Sequence, residues 1–157
     1  MKIILQTEEY KETALRIAKA TWGSIKVAAH HELFELNELP CFLAIDGNEV
    51  RGYCYYRIAG DECEIMAIES IIPNKGTGSL LVNAVLNKAI EENCKRLYVN
   101  TSNDNTHALR FYQRRGFNMC MVRWDEFDYL RTIKPSIPTI GDDGIPLQHE
   151  IELEIIL

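Results

Sequence analysis

Apolar positions recur with two different periods along the chain, and the period predicts where strands and helices lie. Between Val50 and Ile58 every second residue is apolar or small, which is typical of a strand with two different faces. Between Thr77 and Asn93 the apolar residues recur three or four positions apart, which predicts a helix with one buried face. The same reasoning predicts further helical segments over residues 8–22, 104–115 and 128–132, and further strands over residues 24–29, 39–45, 62–72, 96–101, 117–124 and 147–157.

Turn and cap residues separate these segments. Thr7 and Gly23 are typical of the start and the end of a helix, and Asp46-Gly47-Asn48 and Gly60-Asp61 are typical of hairpin turns. Residues 135–146 are rich in proline and glycine and are predicted to form a long loop. One helix is thus followed by antiparallel strands and then by strand, turn, helix, strand, helix and strand. This order predicts an α/β (α+β) fold with a mixed sheet covered by helices, in a single domain spanning residues 1–157.

The segment Asn74-Lys75-Gly76-Thr77-Gly78-Ser79 joins a predicted strand to a predicted helix. A helix N-terminus presents backbone N–H groups and a partial positive charge, so this segment is a candidate phosphate site. Gly76 and Gly78 have no Cβ, so an anion can approach the backbone closely. Gly-x-Gly turns without a ligand are nevertheless common. The segment is neither a Walker loop nor a dinucleotide fingerprint, because it lacks the Lys-Ser/Thr pair and has Leu81 in place of a third glycine.

A second segment, residues 103–117, strengthens the functional interpretation of the glycine turn. Together the two segments resemble the GNAT N-acetyltransferase superfamily, in which a Gln/Arg-x-x-Gly-x-Gly/Ala turn opens the central helix and an Asn-x-x-Ala-x-x-Phe-Tyr-x-x-x-Gly-Phe run follows. The turn matches at Gly76 and Gly78, and has Pro73 where the family has Gln or Arg. The run matches at Asn105, Ala108, Phe111, Tyr112, Gly116 and Phe117. The resemblance covers residues 40–126, and the tail from Lys134 to Glu154 is similar to a bacterial subgroup whose substrates are unassigned.

This resemblance implies a mixed, mostly antiparallel central sheet flanked by helices, with one parallel pair of strands that splay apart. Acetyl-CoA is the implied acetyl donor and would lie between the splayed strands. The resemblance implies that its pyrophosphate contacts Asn74, Lys75, Gly76, Thr77, Gly78 and Ser79. Its pantetheine arm would pair with the backbone near Ile68 and Ser70. Asn105, Ala108 and Phe111 would complete the cofactor contacts, although Asn105, like Asn103 and Asp104, can also be interpreted as a helix cap.

The implied reaction transfers an acetyl group to a primary amine of a small molecule or peptide by direct attack on the thioester. An alkylammonium must first lose its proton, and the departing thiolate benefits from an acid of similar pKa. Tyr112 stands at the family's general-acid position, and a tyrosine there can alternatively be a buried core residue.

The general base has several candidates. Glu69 is the first choice because it lies nearer the end of its predicted strand, and Glu64 is the second. Five residues separate the two, so a regular strand would place them on opposite faces and only one would face the cofactor. Both glutamates could instead be solvated or salt-bridged. His30-His31 could act as a base or lie on a surface strand.

Composition narrows the choice of partners. The net charge is −6 and no basic stripe occurs, so we expect no nucleic-acid partner; the acidic surface would steer cationic substrates or simply keep the protein soluble. The five cysteines lie in apolar runs without a Cys-x-x-Cys pair, so we expect mostly buried thiols and a cytoplasmic location. No run is long enough to cross a membrane, so we expect no membrane partner. His107 and His149 lack partners at metal-ligand spacing, so we expect no metal. A homodimer remains open.

Two other functions compete with the enzyme. The first is a non-catalytic coenzyme A or acyl-CoA sensor or scaffold on the same fold, and the second is an unrelated phosphate-binding domain. The presence of Tyr112 favours the enzyme over the sensor, and the absence of a P-loop lysine disfavours a nucleotide triphosphate site.

Overall fold

The computed structural model describes residues 1–157. It contains nine strands and four α-helices, with short 3₁₀ turns at Leu36–Glu38 and Asp142–Gly144. In chain order the elements are β1 (Lys2–Leu5), α1 (Glu8–Trp22), β2 (Lys26–Ala29), β3 (Glu32–Glu35), β4 (Cys41–Asp46), β5 (Glu49–Ala59), β6 (Glu62–Ser70), α2 (Thr77–Glu91), β7 (Arg96–Ser102), α3 (Thr106–Gln113), β8 (Asn118–Arg123), α4 (Glu126–Ile133) and β9 (Glu150–Ile156).

The first helix shows how local sequence sets element boundaries. Glu8 and Glu9 lie in the first turn of α1, where the helix dipole favours negative charge. Thr7 occupies the N-cap position in an extended conformation, without a side-chain cap bond. Gly23 takes the left-handed conformation and donates its N–H to the carbonyl of Lys19 at 2.8 Å. The predicted helix between Thr7 and Gly23 is therefore confirmed.

Seven strands form one sheet in the order β1-β4-β5-β6-β7-β9-β8, and β2 and β3 form a separate hairpin. The sheet is mostly antiparallel with one parallel pair, which confirms the predicted fold class. The predicted turns at Gly47-Asn48 and Gly60-Asp61 join β4 to β5 and β5 to β6 in antiparallel register.

The chain packs as two compact units, and the expectation of a single domain stays a prediction. The first unit comprises residues 1–27, 35–97 and 157, and the second comprises residues 28–34 and 98–156. In the first unit, Ala14 and Ala18 of α1 pack against one face of the sheet, where Leu43, Tyr53 and Tyr55 are fully buried. Leu81 and Val85 of α2 are buried against the other face. The second unit has its own buried apolar side chains, Tyr112, Phe117, Leu130 and Leu153.

Two strands and one turn differ from the sequence predictions. The four-residue strands β1 and β3 are too short to give a clear period, and neither was predicted. The interpretation of His30-His31 as part of a surface strand is wrong. These residues form the turn between β2 and β3, with φ of 51° and 62°. Positive φ at both central positions is the geometry of a type I′ hairpin turn. The predicted helical turn at 128–132 is the longer helix α4.

The expectation that Glu64 and Glu69 lie on opposite faces is also wrong. Glu64 pairs with Arg57 and Glu69 pairs with Tyr53, and these partners are four residues apart on β5. The register shifts between them, because Tyr55 faces Ala67 whereas Tyr56 faces Ile65. The extra residue, Met66, forms a β-bulge. The bulge shifts by one position the order in which side chains of β6 alternate between the two faces of the sheet. Both glutamates therefore share the face of the sheet on which α1 packs.

Candidate active site

The glycine turn ends β6 and opens α2 with its backbone exposed. Ser70 is the last residue of β6, and its hydroxyl donates to the carbonyl of Ile72 at 2.9 Å. Asn74 and Gly76 both have positive φ, at 61° and 75°. Positive φ is unfavourable for residues with a Cβ, so Gly76 suits this position. The residues Asn74, Lys75 and Gly76 are solvent-exposed, whereas the side chain of the next residue, Thr77, is buried.

The first turn of α2 is electrostatically suited to an anion. The first helical bond runs from the N–H of Leu80 to the carbonyl of Gly76 at 3.1 Å. The amides of Thr77 and Gly78 precede that bond and have no carbonyl one turn back to pair with. No acidic side chain lies in this turn, whereas α1 and α4 each carry two there. The helix dipole therefore meets no compensating carboxylate, and the turn is a candidate phosphate site.

Gly52 of β5 lets the start of α2 lie against the sheet. A Cβ at this position would lie 2.7 Å from the carbonyl oxygen of Glu69, 3.0 Å from Cγ2 of Thr77 and 3.2 Å from Cδ1 of Leu81. The shortest of these distances is below normal van der Waals contact, so a side chain at this position would force the backbone at the end of β6 or the start of α2 to shift. The sequence analysis did not single out Gly52, although a glycine inside a strand is a known sign of close backbone approach.

The two candidate bases differ in their surroundings. Glu64 is only 2% exposed, and its Oε2 accepts a hydrogen bond from Nη2 of Arg57 at 3.2 Å. Glu69 is half-buried and lies opposite Tyr53, whose hydroxyl accepts a hydrogen bond from Nε1 of Trp22 at 2.8 Å. Burial raises the pKa of Tyr53 to about 12, so this hydroxyl stays neutral at physiological pH. Glu64 is thus ion-paired, and Glu69 is the glutamate nearer the end of β6.

In the second unit, α3 holds the remaining predicted site residues. Asn105 is the N-cap of α3, and its Oδ1 accepts a hydrogen bond from the N–H of Ala108 at 3.0 Å. The helix-cap interpretation of Asn105 is therefore confirmed, and its contact with a cofactor stays a prediction. The guanidinium of Arg115 lies 3.5 Å from the ring centre of Phe111, so one face of that ring is already covered.

Tyr112 is the buried member of the Phe111-Tyr112 pair. It is 4% exposed, and its ring makes edge contacts with Phe111 and Phe117 at centroid distances of 5.1 and 5.2 Å. The ring is thus part of the core of the second unit, and this packing would hold the hydroxyl in a fixed position. Burial of the ring alone does not distinguish a general acid from a core residue.

Asn103 and Asp104 anchor the long loop and do not cap the helix. Oδ1 of Asn103 accepts the N–H groups of Gln148 and His149 at 2.9 and 2.8 Å. Oδ2 of Asp104 accepts the N–H of Asp142 at 2.9 Å. Their interpretation as caps is wrong, and the reason is that these side chains pair with a segment about forty residues further along the chain, which local sequence cannot reveal.

The predicted site residues are therefore divided between the units. The first unit contains Glu64, Ile68, Glu69, Ser70, Asn74, Lys75, Gly76, Thr77, Gly78 and Ser79, and the second contains Asn105, Ala108, Phe111 and Tyr112. No helix is long and apolar enough to cross a membrane. The His, Cys, Asp and Glu side chains form no group of three or more that could hold a metal ion.

Comparison with known proteins identifies relatives along the whole chain. The sequence model described as the Acetyltransferase (GNAT) family matches residues 6–117. The uncharacterized protein YdhI of Bacillus subtilis is 35% identical over 152 residues, which cover 96% of this chain and 95% of that protein. These two matches extend over both units.

Solved structures share the fold. An acetyltransferase of Bacillus subtilis in complex with CoA aligns with a TM-score of 0.73 and 21% identity, covering 99% of this chain and 98% of its own. A GNAT family acetyltransferase from Elizabethkingia anophelis with acetyl-CoA bound aligns with a TM-score of 0.74 and 22% identity, covering 99% and 97%. At these identities the likeness shows the fold.

Proposed function

The chain belongs to the acetyltransferase (GNAT) family, and from this premise we propose that it transfers an acetyl group from acetyl-CoA to a primary amine of a small molecule or peptide. The observation that carries the proposal is the exposed glycine turn at the start of α2. Its amides, its positive φ values and its lack of acidic side chains suit a pyrophosphate. Two fold relatives were solved with CoA or acetyl-CoA bound, which supports the same ligand here.

The pyrophosphate would contact the backbone from Asn74 to Ser79, with Lys75 contributing positive charge. The backbone near Ile68 and Ser70, at the end of β6, would pair with the pantetheine amides as an added strand does. On α3, Asn105, Ala108 and Phe111 would contact the pantetheine arm. Oδ1 of Asn105 already accepts the N–H of Ala108, so the amide nitrogen of Asn105, with two N–H donors, would make the contact with the arm.

The chemistry needs one acid and one base. The neutral amine attacks the thioester carbonyl carbon, a C–N bond forms, and the C–S bond breaks with the electron pair leaving on sulfur. Tyr112 would donate its phenolic proton to that sulfur and regain a proton from solvent, since the pKa of a phenol is close to that of a thiol. The base would take the proton that the amine loses.

Glu69 is the better candidate for the base. Its half-buried carboxylate lies near the end of β6, whereas Glu64 is buried and bound to Arg57. A carboxylate with an ordinary pKa removes a proton from an alkylammonium poorly, so Glu69 would attract the cation and pass its proton to ordered water. Both glutamates share one face of the sheet, so the register does not exclude Glu64.

The decisive experiment measures thiol release from acetyl-CoA across a panel of amines. The panel would contain amino acids, polyamines, aminoglycosides and peptide N-termini, and mass spectrometry would locate the acetyl group on nitrogen or oxygen. We expect release with at least one class of amine and loss of release in the Tyr112→Phe variant. If coenzyme A stabilises the protein against heat but no acceptor gives release, the sensor or scaffold function replaces the enzyme.

A further inference from the structure

Trp22 is a half-exposed side chain on the face of α1 that packs against the sheet. It follows Ala14 and Ala18 at a spacing of four residues, so the three side chains leave the helix on the same side. Ala14 and Ala18 are fully buried, whereas Trp22 keeps 50% of its surface exposed. Trp22 is also the last residue of α1. The covering helix therefore ends here and leaves part of the indole open to a ligand.

The indole of Trp22 is held in place by the core. Its Nε1 donates a hydrogen bond to the hydroxyl of Tyr53 at 2.8 Å, and Tyr53 is fully buried. The N–H of an indole lies in the plane of the ring, so this bond fixes the ring without occupying either of its faces. A fixed aromatic side chain binds a ligand at a lower cost in conformational entropy than a mobile one.

Glu69 brings a negative charge to the same place. It is half-buried on β6 and lies directly opposite Tyr53 of β5, and directly opposed residues have Cβ atoms about 4.5–5.5 Å apart. Burial raises the pKa of Tyr53 to about 12, and the negative charge of Glu69 adds to this rise. Tyr53 therefore bonds the indole of Trp22 and faces the carboxylate of Glu69, so the two groups flank one buried phenol.

The end of α1 also favours a cation. The last carbonyls of a helix have no N–H one turn further on and carry a partial negative charge. Gly23 donates its N–H to the carbonyl of Lys19, and the carbonyls between these two residues remain at the helix end. The side chain of Lys19, the basic residue of this turn, lines a surface groove together with Glu12 and Arg16. Three features next to Trp22 thus attract positive charge: the indole face, the Glu69 carboxylate and the helix end.

This combination distinguishes between classes of amine. The face of an indole is the best aromatic partner for an ammonium group, and Glu69 supplies the opposite charge. The carboxylate of an α-amino acid would lie close to Glu69 and be repelled. Glu64, on the same face of the sheet, is paired with Arg57 and so leaves the balance of charge unchanged.

We propose that Trp22 and Glu69 bind the ammonium form of the acceptor, and that the acceptor is an alkylamine or polyamine with no carboxylate next to its amine. The inference rests on the proposed acetyl transfer and selects among its amine classes. Tyr53 acts as a positioning residue, because it holds the indole. The ammonium binds before it loses its proton, so Trp22 affects the affinity for the amine more than the chemical step.

Tryptophan fluorescence tests the binding without any need for turnover. The chain has two tryptophans, so Trp124→Leu leaves Trp22 as the only reporter. Three probes that share a butyl chain would be titrated in the presence of coenzyme A, which carries no acetyl group: n-butylammonium, 1-butanol and norvaline. We expect n-butylammonium to change the Trp22 emission saturably, and the neutral alcohol and the zwitterion to bind more weakly by roughly tenfold or more. Adding Glu69→Gln should weaken the binding of n-butylammonium.

Steady-state kinetics supplies the second measurement. With the amine that gives the fastest thiol release, Trp22→Leu should raise the KM for the amine roughly 2- to 30-fold, which corresponds to one cation–π contact. Its kcat and its KM for acetyl-CoA should stay close to parental values, and Trp124→Leu, which removes the other exposed tryptophan, should be parental in all three.

The two measurements separate the site from the reaction. If no amine gives release but n-butylammonium still binds beside Trp22, acetyl transfer fails and the ammonium site stands. If n-butylammonium leaves the Trp22 emission unchanged, or binds no better than 1-butanol or norvaline, the ammonium site is overturned. A parental KM for the amine in Trp22→Leu overturns it as well, and acetyl transfer then stands without it.

Discussion

At the scale of single residues, Tyr112 has two properties that favour opposite roles. Its ring is packed between Phe111 and Phe117, as expected for a core side chain. A fixed phenol is also what proton donation requires, because a general acid must stay within hydrogen-bond reach of the leaving atom. The two roles are compatible only if the ring belongs to the core and the hydroxyl to the site.

We therefore predict that Tyr112→Phe lowers turnover by roughly 10²–10⁴-fold, the usual contribution of a positioned general acid. The ring stays, so the affinity for acetyl-CoA and the melting temperature should hardly change. Steady-state kinetics with calorimetric binding would measure both. Tyr129→Phe removes a hydroxyl from an exposed tyrosine on α4 and serves as the control, with parental turnover expected. If the Tyr112→Phe enzyme keeps the parental turnover, Tyr112 is a core residue and does not act as the general acid.

Glu69 gives the second prediction at this scale. Glu69→Gln keeps the shape and removes the charge that would attract the ammonium. Turnover should fall at neutral pH and recover partly at high pH, where more of the amine is already neutral. The pH–rate profiles of Glu69→Gln and Glu64→Gln should be compared side by side. If the first variant keeps the parental profile and the second loses it, the base is Glu64.

The two glutamates also show what residue-level patterns can and cannot predict. The motif around Phe111 and Tyr112 was visible in the sequence, because its residues are close together in the chain. The shared face of Glu64 and Glu69 was not visible. A strand of regular period would separate them, and the bulge at Met66 that brings them together depends on pairing with β5.

At the scale of elements, the start of α2 is the part of the candidate site that the sequence predicted best. The turn, the helix and its first residue, Thr77, follow from Gly76, Gly78 and the helical spacing of Leu81 and Val85, whereas the predicted end at Asn93 lies two residues beyond the observed end at Glu91. These signals are local, so they need no knowledge of the rest of the chain.

For this element we predict that Gly78→Val abolishes coenzyme A binding while the protein stays folded. The new side chain would lie at the helix N-terminus, in the path of the pyrophosphate. Asn83→Val introduces the same β-branched residue into an exposed position further along α2, so it controls for lost helix propensity. Calorimetry should find no binding in the first variant and parental affinity in the second. Parental affinity in Gly78→Val would remove the turn from the site.

Gly52 supplies a second prediction for the same element, through its packing. Gly52→Ala would push a methyl group against the carbonyl of Glu69 and the side chains of Thr77 and Leu81. Since overpacking a tight interior costs about 1–3 kcal/mol, the free energy of unfolding should fall by that amount, and coenzyme A affinity should weaken as α2 shifts. Gly60→Ala is the control, because a Cβ there meets no atom within 4 Å. The alanine strains the backbone at residue 60, where φ is 61°, so this variant can also lose stability. It should nevertheless leave the affinity for coenzyme A unchanged. Equal affinities in the two variants would contradict the supporting role of Gly52.

At the scale of the whole molecule, the sequence predicted the class of fold but not the order of its strands. The switch from period two to helical spacing identified most elements. The sequence did not predict β1, because four residues are too few to show a period. It predicted a strand over residues 117–124, where β8 lies, but not that this strand forms an edge of the sheet. Whether an apolar strand is central or at an edge depends on its neighbours in the sheet, which no local pattern records. The same limit applies to the anchoring of the long loop by Asn103 and Asp104.

Cysteine accessibility gives a prediction for the molecule as a whole. Cys120, in the edge strand, is the exposed exception to the expectation of mostly buried thiols, and Cys41, Cys54, Cys63 and Cys94 are buried. Burial raises the pKa of Cys41 and of Cys63 to about 12 and also raises those of Cys54 and Cys94. Only the thiolate reacts with a thiol reagent, and a raised pKa lowers its fraction at neutral pH. Burial therefore slows these four thiols both chemically and sterically.

We expect a chromogenic thiol reagent at neutral pH and low protein concentration to modify one cysteine in the native protein, and all five of the sequence after denaturation. Cys120→Ser should remove the native reaction and leave four thiols in the denatured chain. A moderate rise in pH should leave the buried thiols slow, because burial raises the pKa values of Cys41 and Cys63 to about 12. Rapid modification of two or more thiols in the folded wild type would mean that the packing of the first unit around Cys41, Cys54, Cys63 and Cys94 opens readily in solution.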